Sequence, residues 1–138
     1  MFEFHGWATI RASAGCEDDD GADHAQRAAE STVREMVAGS PLRESFNCTL
    51  DIRTANGHLH LSLAGCHNHA DARVLYLFHD VARLAPGSYG LLYIHDDEDP
   101  ERDTANRWTS HVLARGAVTA VPDPFLSPII EVVEDDCG

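Results

Sequence analysis

The chain has 138 residues, 43% of them hydrophobic, which suits one domain closing around one core and argues against disorder over most of its length. Against 23 acidic residues stand 10 basic ones, all arginine, for a formal charge of −13. That balance repels nucleic acid and anionic membrane and draws basic partners inward by long-range attraction.

No apolar run approaches the roughly 18 residues that would span a bilayer. The opening Met1-Phe2-Glu3-Phe4-His5 does not follow the basic-then-apolar pattern of a signal peptide. The expected location is the cytoplasm. There Cys16, Cys48, Cys66 and Cys137, which form no C-x-x-C pair, should stay free thiols.

Phe2 to Arg11 reads as a strand, with Phe2, Phe4, Ala8 and Ile10 on one face and Glu3, His5, Thr9 and Arg11 on the other. Trp7 falls on the polar side and is expected to pack under a loop or the C-terminal tail, with an exposed binding anchor as the alternative. The acidic stretch Glu17-Asp18-Asp19-Asp20-Gly21 leads into a helix, because carboxylates ahead of a helix start cap free N–H groups and complement the dipole. From about Ala22 to Val37, Ala22, Ala25, Ala29, Val33, Met36 and Val37 form one helical stripe, ended by Gly39-Ser40-Pro41.

Phe46, Cys48, Leu50 and Ile52 then alternate with polar residues, and Leu59, Leu61 and Leu63 alternate with His58, His60 and Ser62. Asn56-Gly57 between them is a two-residue hairpin turn. Closing on it pairs Ile52 with Leu61, Leu50 with Leu63, Arg53 with His60 and Asp51 with Ser62, leaving one apolar and one polar face. Cys48 falls on the apolar one as a small core residue.

Asn68 is placed to cap a second helix, with Asp71 three residues on. That helix runs to about Leu84, buries Val74, Leu77, Phe78 and Val81, and stops at Pro86-Gly87. Ser88 to His95 is a nearly continuous apolar strand, as for a central, well-covered position. Asp96-Asp97-Glu98-Asp99-Pro100-Glu101-Arg102-Asp103 is an acidic loop. A strand returns over Trp108 to about Arg115 and resumes through Val118 to Val121. From about residue 122 the segment with Pro122, Pro124 and Pro128 is extended, since proline forbids helix there.

The fold class is therefore α+β, in the order β-α-β-β-α-β-β: a mainly antiparallel sheet of about five strands with two helices on one face. A ferredoxin-like order of the first four strands, with the fifth hairpinned onto the fourth, is the economical topology. Residues 1–138 read as one domain.

Catalytic motifs do not occur: there is no G-x-S-x-G, P-loop, G-x-G-x-x-G or H-E-x-x-H. Paired carboxylates in the acidic loop would be exposed and ionised, whereas general acid catalysis needs one raised by burial. The chain is not expected to be an enzyme or to hold a cofactor. His58, His60, His67 and His69 form the one candidate for a metal site, against which stand the unfamiliar spacing and the cationic Arg53 opposite His60. The acidic loop fails as a calcium loop, since counting from Asp97 the sixth position is Arg102 and Pro100 falls inside. It reads better as a partner surface, with Asp96, Asp97, Glu98, Asp99, Glu101 and Asp103 meeting basic groups and Trp108 adding an apolar anchor.

Phe2-Glu3-Phe4-His5-Gly6-Trp7-Ala8-Thr9-Ile10, Leu84-Ala85-Pro86-Gly87-Ser88-Tyr89-Gly90-Leu91-Leu92-Tyr93, Asp96-Asp97-Glu98, Val112-Leu113-Ala114-Arg115-Gly116 and Asp123-Pro124-Phe125-Leu126-Ser127-Pro128 occur in that order over nearly the whole chain. Together they resemble the seventh of the numbered immunity-protein families of bacterial polymorphic toxin systems. The resemblance implies a protein made beside a secreted toxin, which binds the toxin's catalytic domain and protects the producing cell. Such toxin domains are often nucleases and hence basic, which the charge of −13 would suit. No catalytic residues carry over. The shared strings read as fold more than interface, with Gly87 and Gly90 at a turn and a strand entry and Phe125 packed. The expected partner is the cognate toxin domain, met by a monomer or weak dimer, with no nucleic acid and no membrane. The alternative is a small metal- or ligand-binding protein using the histidine-rich sheet face.

Overall fold

The structure, a computed structural model, describes residues 1–15 and 20–138. Cys16 and the acidic residues 17–19 lie outside the described residues. Among these, the elements run β1 (Phe2–Ile10), α1 (Asp20–Ala38), a 3-10 turn (Pro41–Glu44), β2 (Cys48–Ala55), β3 (His58–His67), α2 (Ala72–Leu84), β4 (Tyr89–Asp96), α3 (Arg102–Ala105), β5 (Thr109–Ala114), β6 (Ala117–Pro122) and α4 (Ile129–Val132).

The strands form one antiparallel sheet in the order β2-β3-β1-β4-β5-β6. The first four take the ferredoxin-like arrangement expected from the element order, with β5 beside β4. The β2–β3 hairpin has the register read from alternation and turn: Ile52 opposite Leu61, Leu50 opposite Leu63, Arg53 opposite His60 and Asp51 opposite Ser62. Asn56 and Gly57 both take positive φ, 51° and 78°, as the tight turn requires.

The returning strand divides in two. Arg115 and Gly116 also take positive φ, 49° and 75°, and close a second two-residue hairpin that sets Ala114 against Ala117. The sheet therefore has six strands where about five were expected.

Both long helices pack on one face. Asp20 and Asp23 lie in the first turn of α1, where carboxylates offset the positive end of the dipole. The helix buries Ala29, Val33 and Val37, while Ala25, placed on the same stripe by periodicity, is exposed. Gln26 anchors it to the end of β1, accepting the Ala12 N–H at 2.8 Å and donating to the Ile10 carbonyl at 3.0 Å. From α2 come Val74, Leu77, Phe78 and Val81. They meet the inward residues of the sheet, among them Phe4, Ile10, Leu61, Leu63 and Leu92, all 1% exposed or less. Each such side chain contributes about 1.5–3 kcal/mol of burial.

The start of α2 corrects one expectation. The N-cap is Asp71, whose carboxylate accepts the Arg73 N–H at 3.1 Å. Asn68 is not the cap, because β3 runs on through His67 and leaves Asn68 in the connection.

Neither long helix covers the opposite face of the sheet, which carries only the short α3 at the His95 end of β4. This overturns two expectations. Trp7 is not tucked under the tail: it is 43% exposed, its ring edge-on to Tyr89 at 6.2 Å. Nor is β4 covered on both sides. It lies inside the sheet, yet Tyr89 is exposed and Leu91 and Tyr93 are half-buried.

Candidate functional site

The acidic loop is built by its own side chains. The Asp96 carboxylate accepts the Glu98 N–H at 3.0 Å and that of Asp99 accepts the Glu101 N–H at 2.8 Å, so these two residues shape turns. Asp97 pairs with the Met1 ammonium group, which also stands 3.8 Å from Glu98. Glu98 in turn lies 3.0 Å from His69, tying the loop to the end of β3. Glu101 and Asp103 are exposed and have no side-chain partner among the described residues. The six carboxylates expected at an interface are thus together, but they do different things. Asp97, Glu98, Glu101 and Asp103 face water, while Asp96 and Asp99 hold the backbone.

Trp108 stands at the base of the loop, half-buried between His95 and His5, ring centres 5.5 and 5.9 Å away. His95 is buried and bonds the Ala105 carbonyl through Nε2 at 2.8 Å, which fixes α3 over β4. A hollow of about 1120 Å³ opens here, walled by Asp97, Asp103, Trp108 and the C-terminal segment. Its wall is not uniformly acidic. Arg102 and Arg107 also line it, and Arg107 Nε is buried with no acceptor among the described residues.

The C-terminal segment is pinned rather than loosely extended. The Trp108 backbone N–H donates to Ser127 Oγ at 3.0 Å and its backbone carbonyl accepts the Asp123 N–H at 2.9 Å. The Asp123 carboxylate, 4% exposed, accepts the N–H groups of Phe125 and Leu126 at 3.2 and 2.8 Å. Ile129 N–H reaches the Asn106 carbonyl at 2.8 Å. In this segment Ile129 supplies the buried side chain, whereas Phe125, expected to pack, is 78% exposed because the turn at Asp123 points it outward. Beside it lies a second hollow, of about 360 Å³, walled by Glu3, His5, Tyr93, Trp108, Asp123 and Phe125. A third, about 320 Å³, continues from His5 and Tyr93 to Trp7. The uncovered sheet face and the acidic loop are one continuous relief with Trp108 in the middle.

Sequence reasoning singled out the loop and Trp108 as candidates but not Glu3, Tyr93, Asp123 and Phe125, which line the hollow beside Trp108. The available signal was the alternation in β1 and β4 that puts Glu3, His5, Trp7, Tyr89 and Tyr93 on one side.

The four histidines of the metal alternative do not converge. His58 and His60 share the open face with ring centres 6.3 Å apart, and His60 Nδ1 is engaged by the Thr9 hydroxyl at 3.1 Å. His67 points to the other face, where it meets Asp71 and Ser45, and His69 sits against Glu98. Among the described residues no three histidine, cysteine or carboxylate groups are placed to hold a metal ion.

This is a small α+β protein whose helices cover one sheet face and leave a hollowed face with an acidic end. The chain matches the family described as Immunity protein 7 over residues 1–135 and belongs to that family; it is an immunity protein of a toxin system. No curated protein and no solved structure matches it. No helix among the described residues is long and apolar enough to cross a membrane.

Proposed function

We propose that this chain binds the catalytic domain of its cognate toxin and neutralises it by occluding the active site. The toxin domain is basic, with a nuclease as the expected kind. Carboxylates of the acidic loop pair with the basic groups around its substrate site, and Trp108 supplies an apolar contact. The observation that carries the reading is the loop itself: an internally hydrogen-bonded turn that holds Glu101 and Asp103 free in water beside a hollow. A pre-shaped anionic surface loses little entropy on binding, and the charge of −13 speeds encounter with a cation-rich partner.

The role is inhibition by contact. It requires no catalysis by this chain, no cofactor, no nucleic acid and no membrane, and it is exercised in the cytoplasm by a monomer or weak dimer. The test is co-expression with the toxin domain encoded beside this gene, scoring host survival and co-purification. Rescue together with a stable complex supports the reading. Death of the host with no complex, from a toxin shown to be active, sinks it.

A further inference from the structure

We infer that the groove between Tyr93, Trp108 and Phe125 is a receptor for one arginine side chain of the partner protein. The inference rests on the toxin-binding reading and names the contact at its centre. Three observations carry it.

The first is shape. The groove has a volume of about 360 Å³ and its walls are largely aromatic, with Tyr93 rising from β4, Trp108 from just before β5 and Phe125 from the pinned segment. Aromatic faces attract cations, and the planar guanidinium stacks on them better than a lysine ammonium does.

The second is charge. Two residues that carry carboxylates, Glu3 and Asp123, line the same groove. Glu3 lies on the open face of β1, with Oε2 bonded to His5 Nε2 at 2.7 Å and its other oxygen without a partner among the described residues. Asp123 is 4% exposed, and only its Oδ2 is used by the Phe125 and Leu126 N–H groups. Its Oδ1 has no donor among the described residues. A carboxylate whose spare oxygen still reaches water beside an aromatic wall is placed to take a cationic donor. The five N–H groups of a guanidinium can serve both carboxylates at once.

The third is presentation. Phe125 is 78% exposed, yet its backbone is held by a buried carboxylate and by the hydrogen bonds that dock the segment on Trp108. An apolar side chain kept in water by a rigid turn suits an interface that it will line. The acidic loop then acts as the outer attractor and the groove as the seat.

The test uses the whole chain and three short blocked peptides, Gly-Arg-Gly, Gly-Lys-Gly and Gly-citrulline-Gly, read by the indole N–H signals of Trp108 and Trp7. The arginine peptide should shift Trp108 saturably, with a dissociation constant of about 1 mM, and leave Trp7 in place. Citrulline, which keeps the shape and loses the charge, should give no shift, and lysine should bind several-fold more weakly. Glu3→Gln, a change on an open strand face, should weaken the arginine peptide about tenfold. Equal responses to arginine and citrulline, or no movement of Trp108, would overturn the assignment. If the toxin domain is neutralised while the arginine peptide leaves Trp108 unmoved, the groove assignment falls and the immunity reading stands. If the peptide binds as described and the active toxin is neither bound nor neutralised, the immunity reading falls and the arginine site stands.

Discussion

His67 Nδ1 and Asp71 Oδ2 stand 3.0 Å apart with both side chains largely withdrawn from water. The same carboxylate accepts the Arg73 backbone N–H at 3.1 Å and the Arg73 guanidinium at 2.6 Å. On its other side His67 meets the Ser45 hydroxyl at 3.2 Å. One carboxylate therefore joins the end of β3, the approach to β2 and the first turn of α2.

Replacing that carboxylate should loosen all three at once. Asp71→Ala removes an N-cap and the acceptor of an ion pair, so a loss of about 1–2 kcal/mol in urea unfolding is expected. The Arg73 hydrogen bond, with the nearby Arg73 and His67 charges, holds the Asp71 carboxyl below its usual 3.8 despite partial burial. A depressed folded-state value means that this stabilisation is complete above pH ~4, the unfolded range. It is then lost as the pH falls through the folded value. Unfolding of Asp71→Asn should accordingly show a shallower decline below pH 4 than wild type.

His111 gives a second pH dependence, of different window. It sits half-buried on the helix-facing side of β5, and burial first, then the charge of His79 on α2, lowers its pKa from 6.5. The folded state thus favours the neutral ring. Stability should be unaffected above pH 6.5 and should fall as the pH drops below it, because the unfolded chain takes up the proton more readily. His111→Phe should flatten the change in urea midpoint between pH 7.5 and 5.5; an unchanged slope would remove His111 from the account.

Much of the fold was legible because independent local signals agreed. Around Asn56-Gly57 the turn residues and the alternation of leucines specify the same register, and a one-residue slip would turn every leucine outward. The second hairpin was half-seen. Arginine is an unusual occupant of a positive-φ position, so Arg115-Gly116 looked like an interruption where it is a turn. Asn68 and Asp71 were both chemically able to cap α2, and what decided between them was the length of β3, a matter of pairing with β1 that no window around residue 68 contains.

The candidate site was legible only where charge marked it. The carboxylates from Asp96 to Asp103 stand out in any reading, but their division of labour depends on loop geometry. The expectation that Trp7 and Phe125 lie inside rests on the rule that large apolar side chains usually go there, a rule that runs one way only. Coverage of a sheet face is a property of the assembled fold. The hint for Phe125 was Asp123 two residues earlier, since aspartate in front of a proline readily accepts downstream N–H groups and turns the chain.

Gly90 illustrates a constraint of the other sort, where the absence of a side chain matters. A Cβ there would overlap the Trp7 carbonyl oxygen and crowd the Ala8 Cα, backbone atoms of the neighbouring strand that cannot move aside singly. Gly90→Ala should therefore force β1 and β4 apart and cost about 3 kcal/mol, a large part of the stability of a domain this size. Thermal unfolding would show it as a fall in Tm, with no change in the charge-driven part of partner association.

The division of labour in the acidic loop makes the interface reading sharper than a count of charges. Neutralising Asp97, Glu98 and Asp99 together should slow association with the toxin domain at least tenfold at low salt, with the difference shrinking as salt is added. That triple change also removes the partners of the Met1 ammonium and His69 and the cap of Glu101, so it alters the loop as well as its field. Glu101→Gln with Asp103→Asn is the cleaner pair, because neither side chain has a partner among the described residues to lose. It should slow association several-fold while leaving the urea midpoint within about 0.5 kcal/mol of wild type. Asp96→Ala should do the opposite, lowering stability through the lost Glu98 cap with a smaller effect on the association rate. Stopped-flow association measured at two salt concentrations separates the two classes. Equal rates for wild type and the Glu101/Asp103 double variant would move the interface off the loop.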